Sequence, residues 1–183
     1  MAEERKGAVT LRGSPLTLGG LELRPGQSAP DFTAVDTALK PVRLSEAKGK
    51  VIVLSSVPSL DTPTCDTETR RFNQEAAKLG SGVEVWTISR DLPFAQKRWC
   101  GAAGVTSVKT LSDFRERAFG PAYGVEIKDG PLAGLVARAV FVVGKDGKLR
   151  HRRRHARPTL PAARDLVNTR GDAALAAAKS TAG

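Results

Sequence analysis

The clearest indication of the fold is the run Val51-Ile-Val-Leu-Ser-Ser-Val57. The run is apolar along most of its length and is bounded by Gly49-Lys50 and by Pro58, which is typical of a strand buried on both faces of a sheet. We expect a helix next, over about residues 65–79, with Gly80 ending it. A buried strand that leads directly into a helix is the unit from which parallel sheets are built.

Strand and helix patterns alternate on both sides of this unit. Residues 8–24 alternate apolar and polar positions around a Gly/Pro turn, which predicts an N-terminal β-hairpin. Further strand patterns lie at 31–36, 41–44, 83–89, 108–111, 138–143 and about 148–153, and further helical patterns at 92–102, 113–123 and about 160–179. This order predicts an α/β fold, a three-layer sandwich with a mixed central sheet. A length of 183 residues predicts one domain over 1–183.

The composition is that of an ordinary globular protein, with 40% hydrophobic and 26% charged residues. No apolar run approaches the roughly 20 residues that cross a bilayer. The first residues, MAEERKGAVTL, lack the apolar segment of a signal peptide, so we predict a cytoplasmic protein. In a reducing cytoplasm a pair of cysteines is more often catalytic or redox-active than a permanent disulfide, although a structural disulfide stays the alternative.

The chain has two cysteines, Cys65 and Cys100, and each comes shortly after a strand pattern. A thiol at a strand-to-helix turn meets the positive end of the helix, which favours the thiolate. Two such thiols, one per βα unit, could cycle between dithiol and disulfide. Thr62 and Pro58 belong to the turn before Cys65, and Arg138 opens an otherwise apolar strand, where an unpaired charge would be costly. Taken singly, each of these residues also has an ordinary role as turn former, solvated arginine or inert core thiol.

The joint pattern Pro58-x-x-x-Thr62-x-x-Cys65 resembles the active-site signature of the peroxiredoxins, which are thiol peroxidases on a thioredoxin-like fold. The chain is more similar still to one subgroup, the bacterial thiol peroxidases or atypical two-cysteine peroxiredoxins. The stretches that carry this likeness are ETRRFN (68–73), SRDLPFAQKRWCGA (89–102), TLSDFR (110–115), AYGV…DGPL (122–132) and LVARAVFVV (135–143). The resemblance covers about residues 8–148.

The resemblance implies a role for each candidate residue. Cys65 would be the peroxidatic cysteine, which attacks the peroxide O–O bond and becomes a sulfenic acid. Thr62 and Arg138 would activate its thiolate and polarise the peroxide, and Pro58 would shield the site. Cys100 would be the resolving cysteine, which forms an intramolecular disulfide that a thioredoxin-type partner reduces. The resemblance also implies hydrogen peroxide and organic (alkyl) hydroperoxides as substrates, and a homodimer. The sequence has no haem, flavin or metal motif and sulfur chemistry needs none, so we expect no cofactor or metal.

Two further expectations follow from these roles. If each cysteine starts inside a helix end, the sulfurs can meet only after the helical turns unwind, because a disulfide needs Cα atoms within about 7 Å. We therefore predict local unfolding around 62–68 and 93–102 in each cycle. Apolar side chains near the site would suit an alkyl tail or be ordinary packing; they are Leu60, Phe94 and Trp99.

From about Arg150 the sequence departs from the family pattern. Between Lys148 and Arg170 it has eight basic residues and one acid, a net charge of +7 out of +10 for the chain. The divergent basic segment, 150–170, is either a genuine basic surface or a stretch read in the wrong frame. It supports the alternative of a nucleic-acid-binding module, although no aromatic residues interleave with the arginines. A slow thiol-based redox sensor is a third possibility.

Overall fold

The computed structural model describes residues 3–154 and 163–182, with side chains for 3–151 and 172–182. The strands in these residues are β1 (Glu4–Leu11), β2 (Ser14–Gly19), β3 (Thr33–Val35), β4 (Pro41–Arg43), β5 (Val51–Ser56), β6 (Val83–Ser89), β7 (Val108–Ser112), β8 (Glu126–Ile127), β9 (Ala139–Val143) and β10 (Leu149–Arg154). The α-helices are α1 (Pro63–Ala76), α2 (Pro93–Ala103), α3 (Phe119–Ala122) and α4 (Ala163–Ala182), and a short 3-10 helix spans Leu44–Ala47.

Strand β5 lies inside a mixed sheet. Among the described residues this sheet has the order β10-β9-β5-β6-β7-β3-β4. Strands β5, β6 and β7 run parallel, and β9 pairs with β5 in the antiparallel direction, so that Ala139 lies opposite Ser56. Because side chains alternate along a strand, Val53 packs on one face of the sheet and Leu54 on the other. Both are fully buried, which explains why this stretch reads as a continuous apolar run.

Two apolar cores lie on the two faces of the sheet. Residues of α1, α2 and α4, among them Phe72, Trp99 and Leu175, form the first core with the face of β5 that carries Val51 and Val53. The small sheet β1-β2-β8 and α3 cover the other face, where Phe119 and Tyr123 stack with ring centroids 4.5 Å apart. This arrangement confirms the predicted α/β sandwich with a mixed central sheet and an N-terminal hairpin.

The structure corrects two predicted elements. The hairpin ends at Gly19, earlier than the predicted 8–24. Strand β2 also pairs with β8, so the hairpin belongs to a three-stranded sheet. The helix expected over 113–123 is reduced to α3. Its first half is a turn instead, in which the Asp113 carboxylate accepts hydrogen bonds from the backbone amides of Phe119 (3.0 Å) and Gly120 (3.4 Å). By accepting from these two free amides, the carboxylate stabilises a helix that starts at Phe119, as a capping side chain does.

The basic segment is only partly described. Its first residues form β10, whose backbone pairs with β9 from Leu149 to Arg154, and α4 begins at Ala163. The remainder, 155–162, lies outside the described residues. Within the described ranges no helix is long and apolar enough to cross a membrane. The single domain over 1–183 stays a prediction.

Candidate active site

The loop 57–62 joins β5 to α1 and places Cys65 in the first turn of that helix. Thr62 is the last residue before the helix, with extended backbone (φ −89°, ψ 140°), and its carbonyl accepts the first helical bond from Asp66 (2.9 Å). Pro63 follows at the first helical position, where the missing amide proton costs nothing. The Cys65 sulfur therefore lies near the positive end of the helix dipole.

Two donors contact the Cys65 sulfur, which is fully buried. Thr62 Oγ1 lies 2.7 Å from Sγ, and the Arg138 Nη2 group donates to Sγ at 3.0 Å. Arg138 directly precedes β9 and lies 73 positions after Cys65 in the chain. It reaches Cys65 because β9 starts beside the end of β5, and the Ser56 hydroxyl donates to the Ala137 carbonyl there (2.8 Å). The structure thus brings three predicted site residues together.

A buried carboxylate holds the arginine in this position. Arg138 Nη1 donates to Glu68 Oε2, and both side chains are almost wholly buried. Burial by itself lowers the pKa of Arg138, but the Glu68 carboxylate and the Cys65 sulfur outweigh it, so the net pKa is raised. The guanidinium therefore stays charged between two acceptors, in the planar, forked geometry for which arginine is suited.

Glu68 is a site residue that the sequence analysis did not identify. It follows Cys65 by three positions, and residues at that spacing share one face of a helix. This spacing was a usable signal, because it predicts that Glu68 and Cys65 face the same partner. Pro58 is half-buried in the 57–62 loop directly after Val57, and its role in shielding the site stays a prediction.

The structure corrects the predicted setting of Cys100. This residue is not at the positive end of its helix but in the last turn of α2, where its carbonyl accepts the bond from Gly104 that ends the helix. Its sulfur lies 3.3 Å from the Thr110 hydroxyl on β7, and burial raises the pKa of the thiol. Both cysteines are free thiols with other partners, so a disulfide between them requires these contacts to break.

The three apolar residues near the site have different surroundings. Leu60 and Trp99 are buried in the same core as Cys65, so they are packing residues. The Trp99 indole donates to Asp66 Oδ1 at 2.9 Å and so links α2 to the turn that contains Cys65. Phe94, in the first turn of α2, is 66% exposed and is free to contact another molecule.

A buried cysteine with two hydrogen-bond donors, at a helix start on a mixed α/β sheet and with a second thiol on the next βα unit, defines a thiol-dependent redox protein. Residues 24–167 match the family described as Redoxin. The chain is 53% identical over 141 residues to a thiol peroxidase of Bacillus subtilis, covering 77% of this chain and 82% of the relative. A thiol peroxidase of Halalkalibacterium halodurans is 52% identical over 142 residues, covering 78% and 83%.

Solved structures agree with these relatives. The crystal structure of a peroxiredoxin-like protein from Aquifex aeolicus is 40% identical, with a TM-score of 0.77, and the match covers 91% of this chain and 96% of that one. The chain therefore belongs to the Redoxin family, among the peroxiredoxin-type thiol peroxidases. This result confirms the resemblance inferred from the Cys65 motif and identifies the protein as a peroxidase.

Proposed function

We propose that this peroxidase uses both cysteines and reduces hydrogen peroxide and alkyl hydroperoxides. The Cys65 thiolate attacks one peroxide oxygen, the O–O bond breaks, and the leaving alkoxide or hydroxide takes up a proton. Cys65 is then a sulfenic acid. The Cys100 thiol condenses with it, which forms a disulfide and releases water. A thioredoxin-type dithiol reduces the disulfide and is itself oxidised.

The contact set of the Cys65 sulfur is the observation that carries this proposal. Thr62 and Arg138 both lie within hydrogen-bond distance of the sulfur, and a charged donor in a buried site stabilises negative charge more strongly than one in water. The same two donors would stabilise the charge that develops on the peroxide oxygens during attack. Glu68 fixes the orientation of Arg138, so the site needs little rearrangement at that moment.

Single-turnover oxidation tests both half-reactions. One equivalent of an alkyl hydroperoxide is added to the reduced protein while Trp99 fluorescence is followed, with Trp86→Phe removing the second tryptophan. We expect a fast phase for sulfenic acid formation and a slower phase as the Trp99–Asp66 bond breaks and the disulfide forms. Cys65→Ser should be silent, and Cys100→Ser should stop after the first phase. A reaction no faster than that of a free thiol would contradict the proposal.

The exposed start of α2 supports an alkyl hydroperoxide as substrate. Leu92 and Phe94 are 52% and 66% exposed, and Asp91 beside them is bonded to the 57–62 loop. Phe94→Ala should lower kcat/KM for an alkyl hydroperoxide and leave kcat/KM for hydrogen peroxide unchanged. An equal loss for both substrates would contradict a role of Phe94 in binding the alkyl tail.

The proposed cycle also requires that a thioredoxin-type partner reduce the disulfide repeatedly. Sustained turnover with a thioredoxin and its reductase distinguishes a peroxidase cycle from a slow redox sensor, which would reach the disulfide but cycle poorly. A homodimer and a cytoplasmic location stay predictions. Sedimentation of the reduced protein and fractionation of cells that express it would test them.

A further inference from the structure

Asp91 lies two residues before α2 begins at Pro93, and its carboxylate does not bond to that helix. An aspartate one residue later, at the capping position, would usually bond to the free amides of the first helical turn. Here Leu92 is the capping residue and no side chain bonds to the helix start. Asp91 Oδ2 instead accepts the Leu60 backbone amide at 2.8 Å and the Ser89 hydroxyl at 2.8 Å. The carboxylate therefore holds the 57–62 loop, which ends in Thr62.

The hydrogen bonds continue from Asp91 into α2. Ser89 Oγ donates to Asp91 and accepts from Gln96 Nε2 at 3.0 Å, and the same Gln96 nitrogen donates to the Leu111 carbonyl at 3.0 Å. Ser89 and Gln96 are fully buried. The chain of donors and acceptors thus runs from α2 through Ser89 and Asp91 to the backbone of Leu60.

Gln96 shares its face of α2 with Cys100. The two residues are four positions apart, which places them one above the other on the helix. They contact neighbouring residues of β7: Gln96 bonds to the Leu111 carbonyl, and Cys100 Sγ contacts the Thr110 hydroxyl. A movement of the whole of α2 away from β7 would therefore break the bonds of both residues.

We propose that Asp91 is a positioning residue for peroxide attack, which holds the 57–62 loop through Leu60 and couples it to the helix that contains Cys100. The inference rests on the proposed two-cysteine function. With α2 folded, Asp91 keeps Thr62 in place against the Cys65 sulfur. When α2 unwinds, Ser89 loses its bond from Gln96, which weakens the Ser89–Asp91 pair. The loop is then loosened at the stage when Cys65 has to leave its pocket.

Asp91→Ala tests the role, because it removes the acceptor of the Leu60 amide. We expect the peroxide step to slow about tenfold, since a charge-assisted hydrogen bond is lost, and the disulfide-forming step to become faster. Hydrogen exchange at the Leu60 amide should speed up as well. Asp91→Asn retains the shape and an acceptor oxygen and should restore part of the peroxide rate; it also serves if the alanine variant does not fold.

The matched control is Asp36→Ala. The Asp36 carboxylate accepts two loop amides, those of Ala38 (2.8 Å) and Lys40 (2.9 Å), in the turn between β3 and β4. This control should leave both steps unchanged. Three results for Asp91→Ala would overturn the proposal: unchanged rates, a faster peroxide step, or both steps slowed in proportion to a loss of stability. If the wild-type protein itself does not react with peroxide, the proposed function fails first, and the Leu60 amide exchange still reports whether Asp91 holds the loop.

Discussion

The Thr62 hydroxyl can bond in two directions, because it lies near both the Ser59 carbonyl (3.1 Å) and the Cys65 sulfur (2.7 Å). A hydroxyl has one proton to donate and can accept at the same time. When Cys65 is a thiol, the Thr62 oxygen can accept a hydrogen bond from its S–H group while the Thr62 hydroxyl donates to the Ser59 carbonyl. With a thiolate, it turns to donate to the sulfur. The residue thus accommodates both protonation states without a change of backbone.

Thr62→Val should slow the peroxide step, because valine has the same shape but no hydroxyl. A hydrogen bond to a charged group contributes about 1.5–3 kcal/mol, so the rate should fall roughly 10- to 100-fold. Stopped-flow oxidation of the reduced protein measures this rate. Thr62→Ser keeps the hydroxyl and should retain most of the activity. A Thr62→Val variant that reacts as fast as the wild type would contradict a role for the hydroxyl.

The raised pKa of Cys100 gives a pH-dependent prediction. Burial disfavours the charged thiolate, so in the folded protein Cys100 holds its proton to higher pH than a free thiol does. In Cys65→Ser, the midpoint of alkylation against pH should therefore lie higher in the folded protein than in urea. Adding Thr110→Val should raise it further, since the Thr110 contact favours the thiolate. A folded midpoint at or below the unfolded one would contradict this.

Helices α1 and α2 contact each other through polar side chains that lie next to both cysteines. Arg70 bonds to Asp66 and to the Ala103 carbonyl (3.1 Å), and its guanidinium lies 5.8 Å from the centroid of the Trp99 ring. The Trp99 indole also donates to Asp66. Asp66 follows Cys65 and Trp99 precedes Cys100, so neither helix end can unwind without breaking this cluster.

Gly104 determines how firmly the last turn of α2 is closed. It has φ +64°, and a Cβ there would meet no atom within 4 Å, so Gly104→Ala adds backbone strain of about 1 kcal/mol and no clash. We expect the turn with Cys100 to open more often and alkylation of Cys100 in Cys65→Ser to rise roughly fivefold.

Gly80→Ala is the matched control for that change. Gly80 has φ +75° and equally open surroundings, but it follows α1 rather than α2. The two variants should lose similar global stability, measured as Tm, while only Gly104→Ala speeds alkylation. If both speed it equally, Cys100 is reached through global unfolding and not through its own helix end.

The sequence predicts most of these elements because their signals are local. Val51–Ser56 is buried on both faces, so its apolar run indicates a central strand, and Thr62 lies one helical turn from Cys65. Arg138 stands out as a charge in an apolar strand. The bond between Asp91 and Leu60 could not be predicted this way, because the two residues lie 31 positions apart. Glu68 lies 70 positions from Arg138, and only its spacing of three residues from Cys65 is a local signal for it. Cys100 was wrongly assigned to a helix start because it follows a strand pattern, although the predicted helix over 92–102 already places it near the helix end, where the structure has it.

Cys65 and Trp99, the residue before Cys100, pack in one of the two apolar cores and not in the other. Cys65 and Trp99 pack with α4 on the face of the sheet that carries Val53. The aromatic cluster around Phe119 and Tyr123 lies on the opposite face. A rearrangement of the two helix ends can therefore proceed while the second core keeps the sheet folded. The disulfide would also restrict the unfolded chain, by roughly 3–4 kcal/mol for a loop of this length.

Hydrogen exchange of the oxidised and reduced proteins tests this division. Forming the disulfide should speed amide exchange in the first turn of α1 and in α2, since both turns have to unwind for the sulfurs to meet. Amides of β5 and β9 should exchange at unchanged rates. Cys100→Ser treated with peroxide stops at the sulfenic acid, so its α2 should stay protected. Faster exchange throughout the sheet would mean that oxidation unfolds the domain as a whole. Unchanged exchange in α2 would mean that the disulfide forms without unwinding.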